Sequence, residues 1–187
     1  AALAEVLAMG CWTPMERFGI VDANGQPEAA LPAVRDGSAA SLDWAARLLS
    51  ADGSRFVVAH RGIELGAVEW PLVGRHNVMN ALAALAAAAA VGCDATALLP
   101  AFAQFASAKR RLEVIGTVRG VTVYDDFAHH PTAIRTTLDG LRAKVGSARV
   151  IAALEPRSNS MRLGAHADAL APSLDPADAT VFLHRPN

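Results

Sequence analysis

The chain has 187 residues, 52% of them hydrophobic and 19% charged. That composition suits one generous domain or two small ones and excludes a disordered chain. A formal net charge of -1 excludes a bulk pull toward nucleic acid or an anionic membrane surface, and the longest apolar run, Ala81–Val91, is mostly alanine and well short of the ~20 residues a membrane span needs.

The first ten residues, AALAEVLAMG, carry Glu5 and no basic leader, so they do not read as a signal peptide, and they lack an initiator methionine. A short helix is expected over Ala1–Met9. Cys11 and Cys93 are too few for a disulfide framework and lack metal-ligand spacing, so both read as reduced thiols. Gly19–Pro32 reads as a turn-rich connection around Asn24-Gly25. Arg55–Ala59 and Ile63–Trp70 are β-rich and flank Arg61-Gly62, which predicts a hairpin. After Pro71–Gly74 a helix is expected from His76 to Val91, stopped by Gly92. Asp94 should cap a second helix, Ala95–Ala106, whose Leu98, Leu99, Phe102 and Phe105 recur at helical spacing and should be its buried face.

Ser107–Arg111 is the best linker candidate, being short, charged and placed between helical and strand-rich sequence. Strands are expected at Leu112–Thr117 and Val121–Tyr124 around Arg119-Gly120. A helix should follow over Pro131–Val145, with proline in its first turn where no N–H is needed. A buried strand at Arg149–Leu154, a helix at Met161–Leu170 and a strand at Thr180–Leu183 complete the pattern. This alternation predicts an α/β unit with a parallel sheet. It looks unfinished at the last strand.

Four stretches can carry chemistry. In Gly74-Arg75-His76-Asn77-Val78-Met79-Asn80, helical spacing gathers His76, Asn77 and Asn80 near a helix start, where free N–H groups and the positive dipole end lie. Amides both donate and accept, which suits a purine edge; polar N-capping would also explain them. Val123–Pro131 places two carboxylates and two imidazoles, Asp125, Asp126, His129 and His130, at the carboxyl end of a strand, the edge where open α/β sheets bind ligands. They could hold a ribose, a Mg²⁺-bound phosphate or a proton in transit. A capped loop is the plainer account, and a zinc site the weaker one, since adjacent histidines rarely face one metal. Leu154–Met161 follows another short strand. Its Arg157 offers a planar fork for a carboxylate, with Ser158 and Asn159 beside it, although a turn with a surface arginine fits as well. In Lys109-Arg110-Arg111-Leu112-Glu113, three basic residues read first as a solvated run; at a hinge, one arginine could reach a phosphate. Lys109 and Lys144 are the only lysines, against fifteen arginines, and neither follows a glycine. A phosphate-binding loop with its Gly-Lys pair is therefore absent from this sequence.

GRHNVMN, KRRLE, VYDDFAHHPTAI and LEPRSNSM, in this order and with AMGCW at 8–12, resemble the signatures of the Mur ligases. That family joins an amino acid or peptide to a UDP-muramyl carboxylate using ATP. LEPRSN, in place of the QPHR-like motif of the L-alanine-adding branch, resembles the branch that recycles murein tripeptide. The resemblance runs from about Leu3 to Leu183. It implies that residues 1–108 are the later part of the central, P-loop-type ATPase domain (a hairpin plus helices). Residues 109–187 would be the first half of a Rossmann-like, parallel-sheet C-terminal domain.

By the same resemblance, His76, Asn77 and Asn80 are adenine-side contacts. Arg111 reaches the phosphates, Asp126 binds the ribose and His129 stands near the phosphates. Arg111 and His129 are thus the catalytic candidates. Arg157, Ser158 and Asn159 orient the incoming peptide. The implied cofactors are ATP and Mg²⁺, with no metal ligand assigned in this chain. The implied partners are UDP-N-acetylmuramate and murein tripeptide, with no nucleic acid or membrane. The intact enzyme is expected to be a cytoplasmic monomer, and this chain alone to be inactive. An L-alanine-adding sibling and a non-catalytic nucleotide-binding module remain alternatives.

Overall fold

A computed structural model describes residues 5–6, 9–29, 41–156, 161 and 163–183. The chain divides into two compact units. One comprises Ala1–Pro71 and Asn77–Gln104, the other Leu72–His76 and Phe105–Asn187. The helix expected over Ala1–Met9 falls largely on residues 1–4 and 7–8, outside the described set. No described helix is long and apolar enough to cross a membrane.

The first unit is built on a four-stranded sheet in the order β1 (Phe18–Val21), β2 (Trp44–Leu48), β3 (Arg55–His60), β4 (Ile63–Glu69). The expected hairpin is β3–β4. Arg61 and Gly62 both have positive φ, 48° and 80°, the geometry of the type I′ turn that matches strand twist. Strands β1 and β2 pair in parallel and lie outside the strands expected from sequence. Each is short, and β2 carries two alanines, so neither shows a clear period-2 pattern. The connection expected across Gly19–Pro32 is thus strand to Val21. It turns only afterwards, where the Asp22 carboxylate accepts the amides of Asn24 (2.8 Å) and Gln26 (2.9 Å).

Trp44 and Phe56 are fully enclosed in this unit's core, with Val58, Val68, Leu82 and Leu85. Trp70 donates through Nε1 to the Gly53 carbonyl at 2.9 Å and meets Phe56 and Phe102 edge-on. That satisfies its one polar atom while its ring is buried. Helix α1 (Arg75–Ala90) contributes Val78, Ala81, Leu82 and Leu85 to the buried set. Asp94 caps α2 (Ala95–Leu98), accepting from the Thr96 and Ala97 amides. The long helix expected to Ala106 is not formed: from Leu99 to Gln104 the chain is a 3₁₀ helix. Pro100 lacks an N–H and its ring would crowd the carbonyl one α-turn back. As a result Leu99 is buried, Leu98 and Phe102 are half-buried, and Phe105, placed by periodicity on the buried face, is exposed.

In the second unit β5 (Glu113–Val118) and β6 (Val121–Asp125) form an antiparallel hairpin across Arg119-Gly120, again with two positive φ values. Helix α3 (Pro131–Val145) has His130 as N-cap and Gly146 after its last turn. Strands β7 (Ile151–Leu154) and β8 (Ala179–Phe182) pair in parallel, with α4 (Ala167–Ser173) between them in sequence. Of the helix expected at Met161–Leu170, Met161 is helical, 163–166 form a turn and α4 begins at Ala167. Parallel pairing is thus present between β7 and β8, while β6 pairs with β5. Ile134, Leu138 and Leu141 on one face of α3 form a core with Val150 and Leu174. The Asp178 carboxylate ties this end together. It accepts from the Val150 amide at 2.7 Å and from Arg142 Nη2 at 2.6 Å.

Candidate nucleotide site

The site begins where Gly74, at φ 95°, turns the chain into α1. His76, the second residue of that helix, is half-buried, and its Nδ1 is enclosed with no hydrogen-bond partner among the described residues. Burial pulls its pKa below the ordinary 6.5, the Asp126 carboxylate raises it, and the Arg111 guanidinium lowers it further. Asp126 and Arg111 therefore both lie within electrostatic reach of His76 in the second unit, though His76 precedes them by 35 residues or more in sequence. Asn77 follows His76 on α1 and is half-buried; Asn80, one turn on, is exposed.

The segment 109–113 and the loop after β6 are clasped by hydrogen bonds. Asp126 accepts from the Leu112 amide through Oδ2 (2.8 Å), and from the Ala128 amide (2.8 Å) and Thr137 Oγ1 (3.4 Å) through Oδ1. The Phe127 amide donates to the Arg110 carbonyl at 2.8 Å. Arg110 Nε donates to Asp125 at 3.1 Å, and its guanidinium lies 5.2 Å from the Phe127 ring centre. Arg110 and Leu112 have φ of 61° and 49°, a left-handed conformation that side chains with a Cβ rarely adopt. These contacts hold that strain in place. Arg110, not Arg111, makes the local ion pair. Arg111 is exposed, and its side chain forms no hydrogen bond or salt bridge among the described residues.

His129 Nδ1 stands 2.8 Å from the Phe127 carbonyl. A carbonyl only accepts, so the contact requires the proton on Nδ1 and leaves Nε2 for another partner. His130 is used differently. Its Nδ1 accepts from the Thr132 amide to cap α3, and its ring meets His166 edge-on at 4.4 Å. Among the described residues no three His, Cys, Asp or Glu side chains gather to hold a metal. Arg157, Ser158 and Asn159 lie outside the described residues.

Two residues join the site from outside the four sequence stretches. Thr137, six residues into α3, reaches back to Asp126. Gly140, inside the same helix, is buried against the backbone of Gly74. A glycine inside a helical pattern is a visible signal of close approach. The threonine gives none.

Residues 24–88 match the Mur ligase middle domain, and residues 110–187 match the Mur ligase, glutamate ligase domain. The chain is 44% identical over 97% of its length to a UDP-N-acetylmuramate–L-alanyl-γ-D-glutamyl-meso-2,6-diaminoheptandioate ligase of Haemophilus influenzae. It is 46% identical over 98% to the Escherichia coli protein of the same name. It spans 36% of each of those relatives. A crystal structure of a murein peptide ligase from Psychrobacter arcticus superimposes with a TM-score of 0.62 at 43% identity, covering 97% of this chain and 35% of that one.

Proposed function

Since the chain belongs to the Mur ligase family through its middle and C-terminal domains, we propose that it is the nucleotide-side and peptide-side part of a murein tripeptide ligase. The whole enzyme would join L-alanyl-γ-D-glutamyl-meso-diaminopimelate to UDP-N-acetylmuramate at the expense of ATP. The observation that carries this reading is the match of 97–98% of the chain, at 44 and 46% identity, to two ligases named for that reaction. In this reading residues 1–108 are the later part of the central domain, and residues 109–187 open the C-terminal domain.

The chemistry has two steps. A muramyl carboxylate oxygen attacks the γ-phosphorus of ATP, giving an acyl phosphate and ADP. The tripeptide's neutral amine then adds to the acyl carbon, and phosphate leaves as the amine loses its proton. Such steps are accelerated mainly by positioning and by groups that meet developing negative charge.

The residues divide accordingly. His76, held neutral by burial, has one donor and one acceptor nitrogen, and with Asn77 and Asn80 it suits a purine edge. Asp126 already takes two backbone amides, yet a carboxylate has about four acceptor sites, so a ribose hydroxyl can still donate to it. Arg111, whose side chain makes no hydrogen bond or salt bridge among the described residues, would neutralise phosphate oxygens. His129, with Nδ1 committed to a carbonyl, would present Nε2 to a phosphate as a donor when protonated. Arg157, Ser158 and Asn159 would orient the peptide through a carboxylate. No Mg²⁺ ligand is assigned in this chain, and none of these steps is routed through a metal it holds. The working enzyme is read as a cytoplasmic monomer without nucleic-acid or membrane partners.

The test supplies the whole protein with ATP, Mg²⁺, UDP-N-acetylmuramate and either tripeptide or L-alanine, and identifies products by mass spectrometry. A UDP-muramyl tripeptide with release of ADP and phosphate is expected. Formation of the L-alanine product instead would assign the chain to the sibling branch. ATP binding without either product would make it a nucleotide-binding module.

A further inference from the structure

We propose that Gly140 is a positioning residue for the nucleotide site, its bare backbone seating the Val73–Gly74 segment on α3 and thereby fixing where His76 stands. The inference rests on the nucleotide reading of His76 given above. Glycine inside a helix is unfavourable by ~1 kcal/mol relative to alanine, so its presence in α3, among Ile134, Leu138 and Leu141 on the buried side, calls for a reason. The reason is geometric. A Cβ at Gly140 would lie 2.9 Å from the Gly74 Cα and 3.2 Å from the Gly74 nitrogen. Those are backbone atoms, which cannot swing aside as a side-chain tip can.

Gly74 is constrained by His76 as well. Its φ of 95° disfavours any side chain, and a Cβ there would stand 2.6 and 2.7 Å from His76 Cε1 and Nδ1. The backbone of α3, the backbone of Gly74 and the His76 ring are thus stacked with no side chain between them. The thickness of that stack sets the distance from α3 to the imidazole. Both Asp126, which donors on Leu112, Ala128 and Thr137 hold in place, and the Arg111 charge act on that ring. A shift of a few tenths of an ångström at Gly74 passes directly to His76, whose helix is regular from Arg75 onward.

The experiment uses the whole protein and compares wild type with Gly140→Ala, Gly74→Ala and Gly116→Ala. Gly116 sits in β5, where a Cβ would meet nothing within 4 Å, and serves as the control. Two quantities are measured: the KM for ATP beside kcat, and the titration of His76 by NMR of ¹³C-labelled histidine. Gly140→Ala should raise the KM for ATP about tenfold with kcat changed less than about twofold, the pattern of lost uniform binding. It should also move the His76 titration from its lowered value toward 6.5. A merely destabilised helix would alter neither in the folded protein, and Gly116→Ala should match wild type. If Gly140→Ala folds and leaves both quantities unchanged, the proposal is overturned. If it does not fold, Gly74→Ala decides, since it presses on the ring without adding an atom toward α3; unchanged values there overturn the proposal equally. Failure of the nucleotide reading would show separately, as wild-type protein that neither binds nor consumes ATP, and the His76 titration would still decide the seat.

Discussion

The two hairpins share a turn and differ in burial. Both β3–β4 and β5–β6 reverse on an Arg-Gly pair with positive φ at each residue. In the first, Phe56 and Val58 are fully enclosed and Val68 is nearly so. In the second, Val114, Ile115, Val118, Val121 and Val123 are each at least half exposed. Equivalent local chemistry therefore yields equivalent chain reversal, but not an equivalent core. The second unit instead holds the loop after β6 by hydrogen bonds, with Asp126 and Asp125 clasping the 110–112 segment.

The largest expected effect lies on the packed side. Phe56→Ala should cost about 3–5 kcal/mol of stability, whereas Val123→Ala should cost under about 1 kcal/mol, both read by urea unfolding. Similar losses at the two sites would remove the contrast. Next, Asp126→Ala leaves the Leu112 and Ala128 amides without their acceptor, at about 1–3 kcal/mol locally. Faster hydrogen exchange at those two amides, with the β3–β4 amides unchanged, is the expected signature.

Gly62→Ala and Gly120→Ala should each cost about 1 kcal/mol, since both are in the left-handed region and a Cβ at either meets nothing. Equal costs in hairpins of unequal burial would establish that the turn is a local device; a much larger loss at Gly62 would argue that burial and turn are coupled.

The smallest effects are pH-dependent. The Val150 amide first, and then Arg142, lower the Asp178 pKa below its ordinary 3.8. Its contribution is therefore full above 3.8 and lost as pH falls through the lower folded value, so Asp178→Asn should flatten the acid limb of an unfolding curve. His76 has the opposite charge logic. With its folded pKa below 6.5, it costs nothing above that value and destabilises increasingly as pH falls through it. His76→Gln should reduce that slope below pH 6.5.

Much of the fold is legible before any coordinates. Arg61-Gly62, Arg119-Gly120, Asp94 as a cap and Pro131 at a helix start are short-range signals whose physics involves atoms a few residues apart. The family motifs are legible for the same reason, being contiguous. Pairing of β1 with β2 is not, because strands of four and five residues with little alternation are stabilised by neighbours outside the segment. The 3₁₀ run from Leu99 is hidden in a different way. Pro100 stands in the sequence as a helix breaker, yet the helical spacing of the apolar residues continues straight past it.

The sequence by itself determined where the chain turns, which helices are capped, and which polar residues form the family's signatures. Tertiary structure alone decided that Asp126 clasps the Leu112 amide, that Arg110 rather than Arg111 is locally paired, and that Gly140 lies on Gly74. The division follows from range. Turns and caps are decided by backbone geometry within one or two turns of chain. Burial, clasping and close backbone approach depend on partners tens of residues away, whose distance no local pattern encodes.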